Sequence, residues 1–260
     1  MAVSISRRGF LGSAPAVPLL FSPQAPAGSP PANFPAHDLA VVREIVGVAH
    51  GNLARVKELV SARPALARVS WDWGYGDWES PIDAASHVGN RSIAEFLIAH
   101  GARPTIFTAA MMGQLGIVKG WIDTTPGVQR MRGPHGITLL AHARAGGAAA
   151  AGVLKYLESL GDADPRYTDL PIGDTEQAAI AGDYAFGAGA TERLTVAKNT
   201  RGAFTITRTG GSERNLFHDG GLVFKPAGAE AVRIRFEVSG GTAQVVVVED
   251  GPVVVRATRR

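Results

Sequence analysis

SPIDAASHVGNRSIAEFLIAHGA, residues 80–102, holds two short helical patterns on either side of one glycine. Pro81 stands one position inside the first helix, where no amide hydrogen is needed. Ala84 and Ala85 leave room for a neighbouring helix. Gly89 ends the first helix in a backbone conformation that is costly for any residue with a side chain. Ile93 and Leu97, with Phe96 and Ile98, then give a second amphipathic helix. Two short helices and a turn cannot bury an apolar face alone, so the pattern predicts stacking on further copies.

Ser80-Pro81-Ile82-Asp83-Ala84-Ala85 stands where ankyrin repeats carry T-P-L-H-x-A. Gly89-Asn90 matches their inter-helix turn, and His100-Gly101-Ala102 their closing x-G-A. The stretch resembles one ankyrin repeat, and the neighbouring sequence resembles divergent ones. Residues 41–60 place Gly51 38 positions before Gly89 and repeat the apolar pair Leu59-Val60 at Leu97-Ile98. Residues 106–122 open a third unit, but Gly89 to Gly113 spans only 24 residues, shorter than the family period of about 33. Residues 136–143 and 153–157 form a fourth, with Thr138, Leu140 and Ala143 on the family positions.

Before the opening stretch lies WDWGYGDW, residues 71–78, with three of the chain's four tryptophans. In an ankyrin stack this connection is a hairpin finger, with Gly74 and Gly76 in its turn. Trp71, Trp73, Tyr75 and Trp78 are the candidate partner-binding residues, since such rings dominate interface hot spots. The same rings serve equally as a local core. Asp72, Asp77 and Glu79 read as solvated acids. His50, His87 and His100 fall at helix ends and His142 in a first helix. Equivalent positions of stacked repeats sit roughly 10 Å apart, too far to share one ion. The histidines are therefore assigned to capping and ladder hydrogen bonds, with no metal and no cofactor.

After Pro165 the period becomes two. Residues 232–238, VRIRFEV, alternate apolar and charged without a break, as a strand with one buried face does. Leu194/Val196, Phe204/Ile206 and Leu222/Phe224 repeat the pattern between glycine-rich turns. About eight strands in some 80 residues predict an antiparallel meander that closes into a small barrel. Gly182-Asp183-Tyr184, Leu194-Thr195-Val196, Phe224 and Arg233-Ile234-Arg235-Phe236 together resemble the small lipocalin-like domain that follows serine hydrolase domains in some bacterial enzymes. There it is an accessory module, not a catalytic one.

The fold class expected is thus an α + β multidomain chain, an ankyrin-repeat α-solenoid of about four repeats followed by a small antiparallel β-barrel. The expected segments are a signal peptide at 1–27, a flexible leader at 28–36, repeats at 37–165, a linker at 166–180 and the β domain at 181–260. Ser6-Arg7-Arg8-Gly9-Phe10-Leu11-Gly12 resembles the twin-arginine export motif, carried by Arg7, Arg8, Phe10 and Leu11. The apolar run from Phe10 to Phe21 is 12 residues long, well short of the ~20 that a membrane span needs. Ala25-Pro26-Ala27 offers a cleavage site, which implies a periplasmic or secreted protein without a membrane span once processed.

Less Arg7 and Arg8, the 26 basic side chains leave 24 against 23 acidic ones, a balance that does not suit a nucleic-acid partner. The absence of cysteine excludes disulfides, thiolate metal sites and cysteine nucleophiles. No Gly-x-Ser-x-Gly, Ser-x-x-Lys or His-Glu-x-x-His motif occurs. The function expected is that of an exported protein–protein binding module rather than an enzyme. Small-ligand or envelope-glycan binding by the barrel is the alternative, and a non-canonical enzyme comes third.

Overall fold

The structure, a computed structural model, describes residues 36–260. The export motif at Arg7, Arg8, Phe10 and Leu11 and the signal and leader segments up to residue 35 lie outside the described residues.

Nine α-helices come first among the described residues: α1 (Leu39–Val48), α2 (Leu53–Ala62), α3 (Pro81–His87), α4 (Arg91–Ala99), α5 (Ile106–Met111), α6 (Leu115–Thr124), α7 (Leu139–Ala145), α8 (Ala151–Leu160) and α9 (Asp174–Ile180). Local chemistry sets their starts. Asn52 and Asn90 cap α2 and α4 by accepting from the amides of Arg55 and Ile93 at 3.0 and 3.2 Å. At α3, Ser80 Oγ accepts from the Asp83 amide, and the Asp83 carboxylate accepts from the Ser80 amide, a reciprocal cap. The helices pair along the chain and bury two apolar clusters. One centres on Ile45, Val60, Leu66, Ile82 and Leu97, the other on Ile106, Val118, Leu139 and Leu157.

The expected α + β multidomain chain with an ankyrin-repeat solenoid of about four repeats is not what these residues form. In a solenoid each unit touches only its neighbours. Here α3 packs against α7, and a Cβ on Gly89, whose φ is +76°, would lie 2.1 Å from the Ala145 carbonyl oxygen. The helix pairs begin at Leu39, Pro81, Ile106 and Leu139, without a constant period. The one hairpin among the described helical elements, β1 (Trp71–Asp72) with β2 (Trp78–Glu79), is not a free finger. Tyr75 in its turn packs on the core of the barrel that follows, and Asp77 is ion-paired with Arg214. His37–Arg260 accordingly forms one compact unit.

That barrel consists of β3 (Gly182–Ala185), β4 (Arg193–Lys198), β5 (Phe204–Arg208), β6 (Glu213–Gly220), β7 (Val223–Pro226), β8 (Arg233–Ser239), β9 (Thr242–Asp250) and β10 (Val253–Arg259). All pairings are antiparallel between sequence neighbours, and β10 returns to β3, so the eight strands close as the alternating pattern predicts. Inward-facing Leu194, Ile206, Leu216, Phe224, Ile234 and Val246 fill the interior. Arg259 fastens the closing seam. Its guanidinium donates to the carbonyls of Ala243, Ala181 and Ala179 at 2.6, 2.9 and 2.7 Å and to Tyr184 Oη at 3.0 Å. Among the described residues no helix is long and apolar enough to cross a membrane.

Candidate metal centre

Three stretches of chain, one of which supplies two side chains, meet where the hairpin passes under the barrel. Glu79 ends β2, and His87 ends α3. His50 lies in the turn after α1, and His135 in a 3₁₀ turn, Pro134–Gly136, that precedes α7. Reciprocal capping at Ser80 fixes the entry of α3 directly after Glu79, so strand and helix hold their side chains in a set relation. His135 has a left-handed backbone, φ 60° and ψ 13°. That conformation is uncommon outside glycine and is maintained here by Asp77. The carboxylate accepts from the His135 amide at 2.9 Å and from its ring Nδ1 at 2.7 Å. On the barrel side, Gly228 permits the approach: a Cβ there would stand 3.0 Å from His135 Cα and 3.1 Å from Asp77 Cγ.

The chelating atoms converge. His87 Nε2 lies 2.9 Å from Glu79 Oε1 and 3.1 Å from His50 Nε2. Glu79 Oε1 is also 3.7 Å from His50 Nε2 and 3.3 Å from His135 Nε2. One ligand atom from each of the four residues falls within 4.8 Å of all the others. A tetrahedral ion with bonds of 2.0–2.1 Å to nitrogen separates its ligand atoms by about 3.3–3.4 Å, which is the scale seen here. The expected separation of roughly 10 Å between histidines does not hold for His50 and His87. Both lie where α1 and α3 end side by side, and their rings turn inward to the same carboxylate.

Further hydrogen bonds orient the ligands. His50 Nδ1 donates to the Gly47 carbonyl at 3.0 Å, which leaves its Nε2 with a lone pair when the ring is neutral. His135 Nδ1 donates to Asp77, so its Nε2 is the atom that a bound ion would take, in place of the proton that it shares with Glu79. Trp73 Nε1 donates to Glu79 Oε2 at 2.7 Å, so the other oxygen, Oε1, faces the histidines. Rings backed by carboxylates or carbonyls are the usual support of a metal centre. Without an ion, a single proton on His87 Nε2 must serve both Glu79 Oε1 and the His50 lone pair.

The charges agree with this. Burial works to raise the Glu79 carboxyl, but hydrogen bonds from His135 and His87 outweigh it and hold the group down at about 2. Burial works to lower His135, yet Asp77 and Glu79 push it up to about 9. Asp77 is held below the ordinary range against its burial by His135 and Arg214. The cluster thus favours positive charge at its centre. The side chains of Glu79 and His87 are 0% and 9% exposed, those of His50 and His135 32% and 28%, so an ion has a path in past the latter two. A polar cavity of about 390 Å³, lined by His135, Arg201, Ser212, Arg214 and Asn215, adjoins that side.

The four aromatic residues expected to bind a partner are dispersed. Trp71 and Trp73 pack on the first helical cluster, and Tyr75 on the barrel core. Trp78 alone is largely exposed, at 60%. Asp77 and Glu79, expected in solvent, are buried, because the hairpin that carries them is covered by the barrel and the 134–136 turn. Asp72 is half-buried and accepts from the Gly74 amide at 2.8 Å. His135 and Glu79 carried no sequence signal of ligation, since no two ligands share a short spacing on one element. His100 lies apart, with Nδ1 donating to the Phe96 carbonyl at 2.8 Å, and His142 is buried with Nδ1 on the Thr138 carbonyl. No protein-family model, curated protein or solved structure matches this chain.

Proposed function

We propose that this protein binds one divalent transition-metal ion through His50 Nε2, His87 Nε2, His135 Nε2 and Glu79 Oε1. The observation that carries the reading is the convergence of these four atoms within 4.8 Å, with three of the four side chains oriented from behind. Three imidazoles and one carboxylate suit zinc. Four protein ligands complete a tetrahedral shell, so the ion acts as a clamp and not as a hydrolytic centre with an open position. It ties the end of α1, β2, α3 and the 134–136 turn to one point. Through Asp77 and Arg214 that point is also linked to the barrel. Trp78, exposed beside Glu79 on the clamped strand, is the ring presented to a protein partner. In this reading the molecule is an exported, metal-clamped binding module.

The test is metal content and affinity. Protein stripped with chelator and dialysed against zinc should retain one ion per chain by mass spectrometry of the elements. Cobalt in its place should give the intense visible absorption of a tetrahedral site. Glu79→Gln and His87→Ala should each lose at least tenfold in zinc affinity while circular dichroism stays native. A folded wild-type chain that retains no zinc, or variants that bind as the parent does, would refute the assignment.

A further inference from the structure

At the mouth of the barrel a second cavity, of about 310 Å³, lies between β6, the β4–β5 turn and the strap formed by residues 169–172. Its apolar side chains include Phe204, Leu216 and Phe224 from the strands, and Ile172 from the strap. Polar side chains line it as well, Asp169, Lys198, Asn215, Gln177 and His218, and of these His218 Nε2 and Gln177 Oε1 are buried without a hydrogen-bond partner among the described residues.

The strap determines what these two atoms are. His218 is 7% exposed, and its Nδ1 lies 3.2 Å from the Leu170 carbonyl oxygen. A carbonyl only accepts, so Nδ1 carries the proton and Nε2 of the neutral ring is an acceptor. Gln177 Nε2 donates to the Ile172 carbonyl at 3.0 Å, which fixes the amide orientation and leaves Oε1 as an acceptor too. The strap is itself anchored on β6: the Leu170 amide donates to the His218 carbonyl at 2.9 Å, and the His218 amide to Asp169 Oδ1 at 3.0 Å. Two buried acceptors are therefore held beside one cavity, and neither Lys198 nor Asn215, which also line it, donates to them. Buried polar atoms in native proteins are nearly always paired. A ligand that supplies donors on an apolar body completes the site.

We propose that this cavity binds a small neutral molecule, aromatic or compactly apolar, that carries N–H or O–H donors and gives them to His218 Nε2 and Gln177 Oε1. His218 stacks on Phe224, with ring centroids 5.0 Å apart and planes at 28°, so the polar end of the site is continuous with an aromatic wall. The cavity volume is at the lower end of the range for ligand sites, and barrel mouths are a common place for them. The site shares no residue with the metal centre and does not depend on it.

Indole and phenol are suitable probes, with indene and toluene as their donor-free counterparts. Titration of metal-stripped full-length protein, followed by calorimetry and by amide and side-chain NMR, should show saturable binding of indole or phenol. Shifts should be confined to Gln177 Nε2–H₂ and to residues 169–172, 204 and 216–218. The donor-free counterparts should bind at least tenfold more weakly. Gln177→Leu should narrow that difference by about threefold or more, and His218→Leu should narrow it further if that variant folds. Equal binding of indole and indene, shifts elsewhere, or no saturable binding because the cavity holds water alone would each overturn the proposal.

Discussion

Asp77→Ala tests how the hairpin, the metal centre and the barrel are joined. Asp77 and Arg214 are each 3% exposed, so solvent screens their pairing little. The carboxylate also accepts from the amide and ring of His135. The substitution leaves the Arg214 guanidinium buried without its counter-charge and frees the left-handed 134–136 turn. Breaking a buried pair from one side costs about 3–5 kcal/mol. For a unit of this size that corresponds to a fall in Tm of about 6–20 °C. The measurement is denaturant and thermal unfolding of the metal-free protein by circular dichroism. Zinc affinity should fall as well, by about 10–100-fold, since His135 loses the group that orients its ring. The double variant Asp77→Ala, Arg214→Met should recover part of the stability, because no buried charge is then left alone. A single-variant loss below about 1 kcal/mol, the upper end of the range for a surface pair, would show that the hairpin is not sealed against the barrel and would refute the reasoning.

Three further outcomes are expected. Gly89→Ala should destabilise by at least about 1–3 kcal/mol by overpacking, because its new methyl group meets the Ala145 carbonyl oxygen and the backbone there is left-handed; denaturant unfolding checks this. Trp73→Ala should lower both stability and zinc affinity, whereas Trp78→Ala should change stability by less than about 0.5 kcal/mol, as exposed positions do, and weaken only partner capture. Replacing Arg7 and Arg8 by Lys should leave the precursor in the cytoplasm of an expressing bacterium, and fractionation with immunoblotting reads the result.

Much of the fold was legible where a rule acts over a few residues. Alternation at 232–238 anticipated β8, and the glycine turns anticipated the closed barrel. Pro81 and Gly89 marked the limits of α3 to within two residues. The solenoid expectation failed because it extended one well-formed helix pair to the others. Their unequal spacing instead lets α3 reach α7 and turns the hairpin onto the barrel. The metal centre was illegible for a related reason. Glu79 and His87 share one strand–helix stretch, but His50 and His135 come from segments before and after it, and only tertiary packing brings the four together. The burial of Glu79 and Asp77 likewise depends on a turn more than 50 residues downstream. Trp73 illustrates both limits: its ring reads from sequence as a candidate contact, but its indole N–H on Glu79 is visible only in the fold.

Barrel closure has a consequence for biogenesis. The seam joins Thr258 to Ala185 and Arg259 to Tyr184, so the first strand of the sheet waits for the last. During translation, β3 and β9 each present an unpaired edge until β10 has left the ribosome. Closing a loop of that length carries an entropic cost of roughly 4 kcal/mol, recovered only when the whole seam forms. Open edges are templates for pairing with other chains. A chain cut before residue 253 would therefore keep two such edges permanently, together with the unmet carbonyls of Ala179, Ala181 and Ala243, and should accumulate as aggregate rather than as a smaller soluble protein.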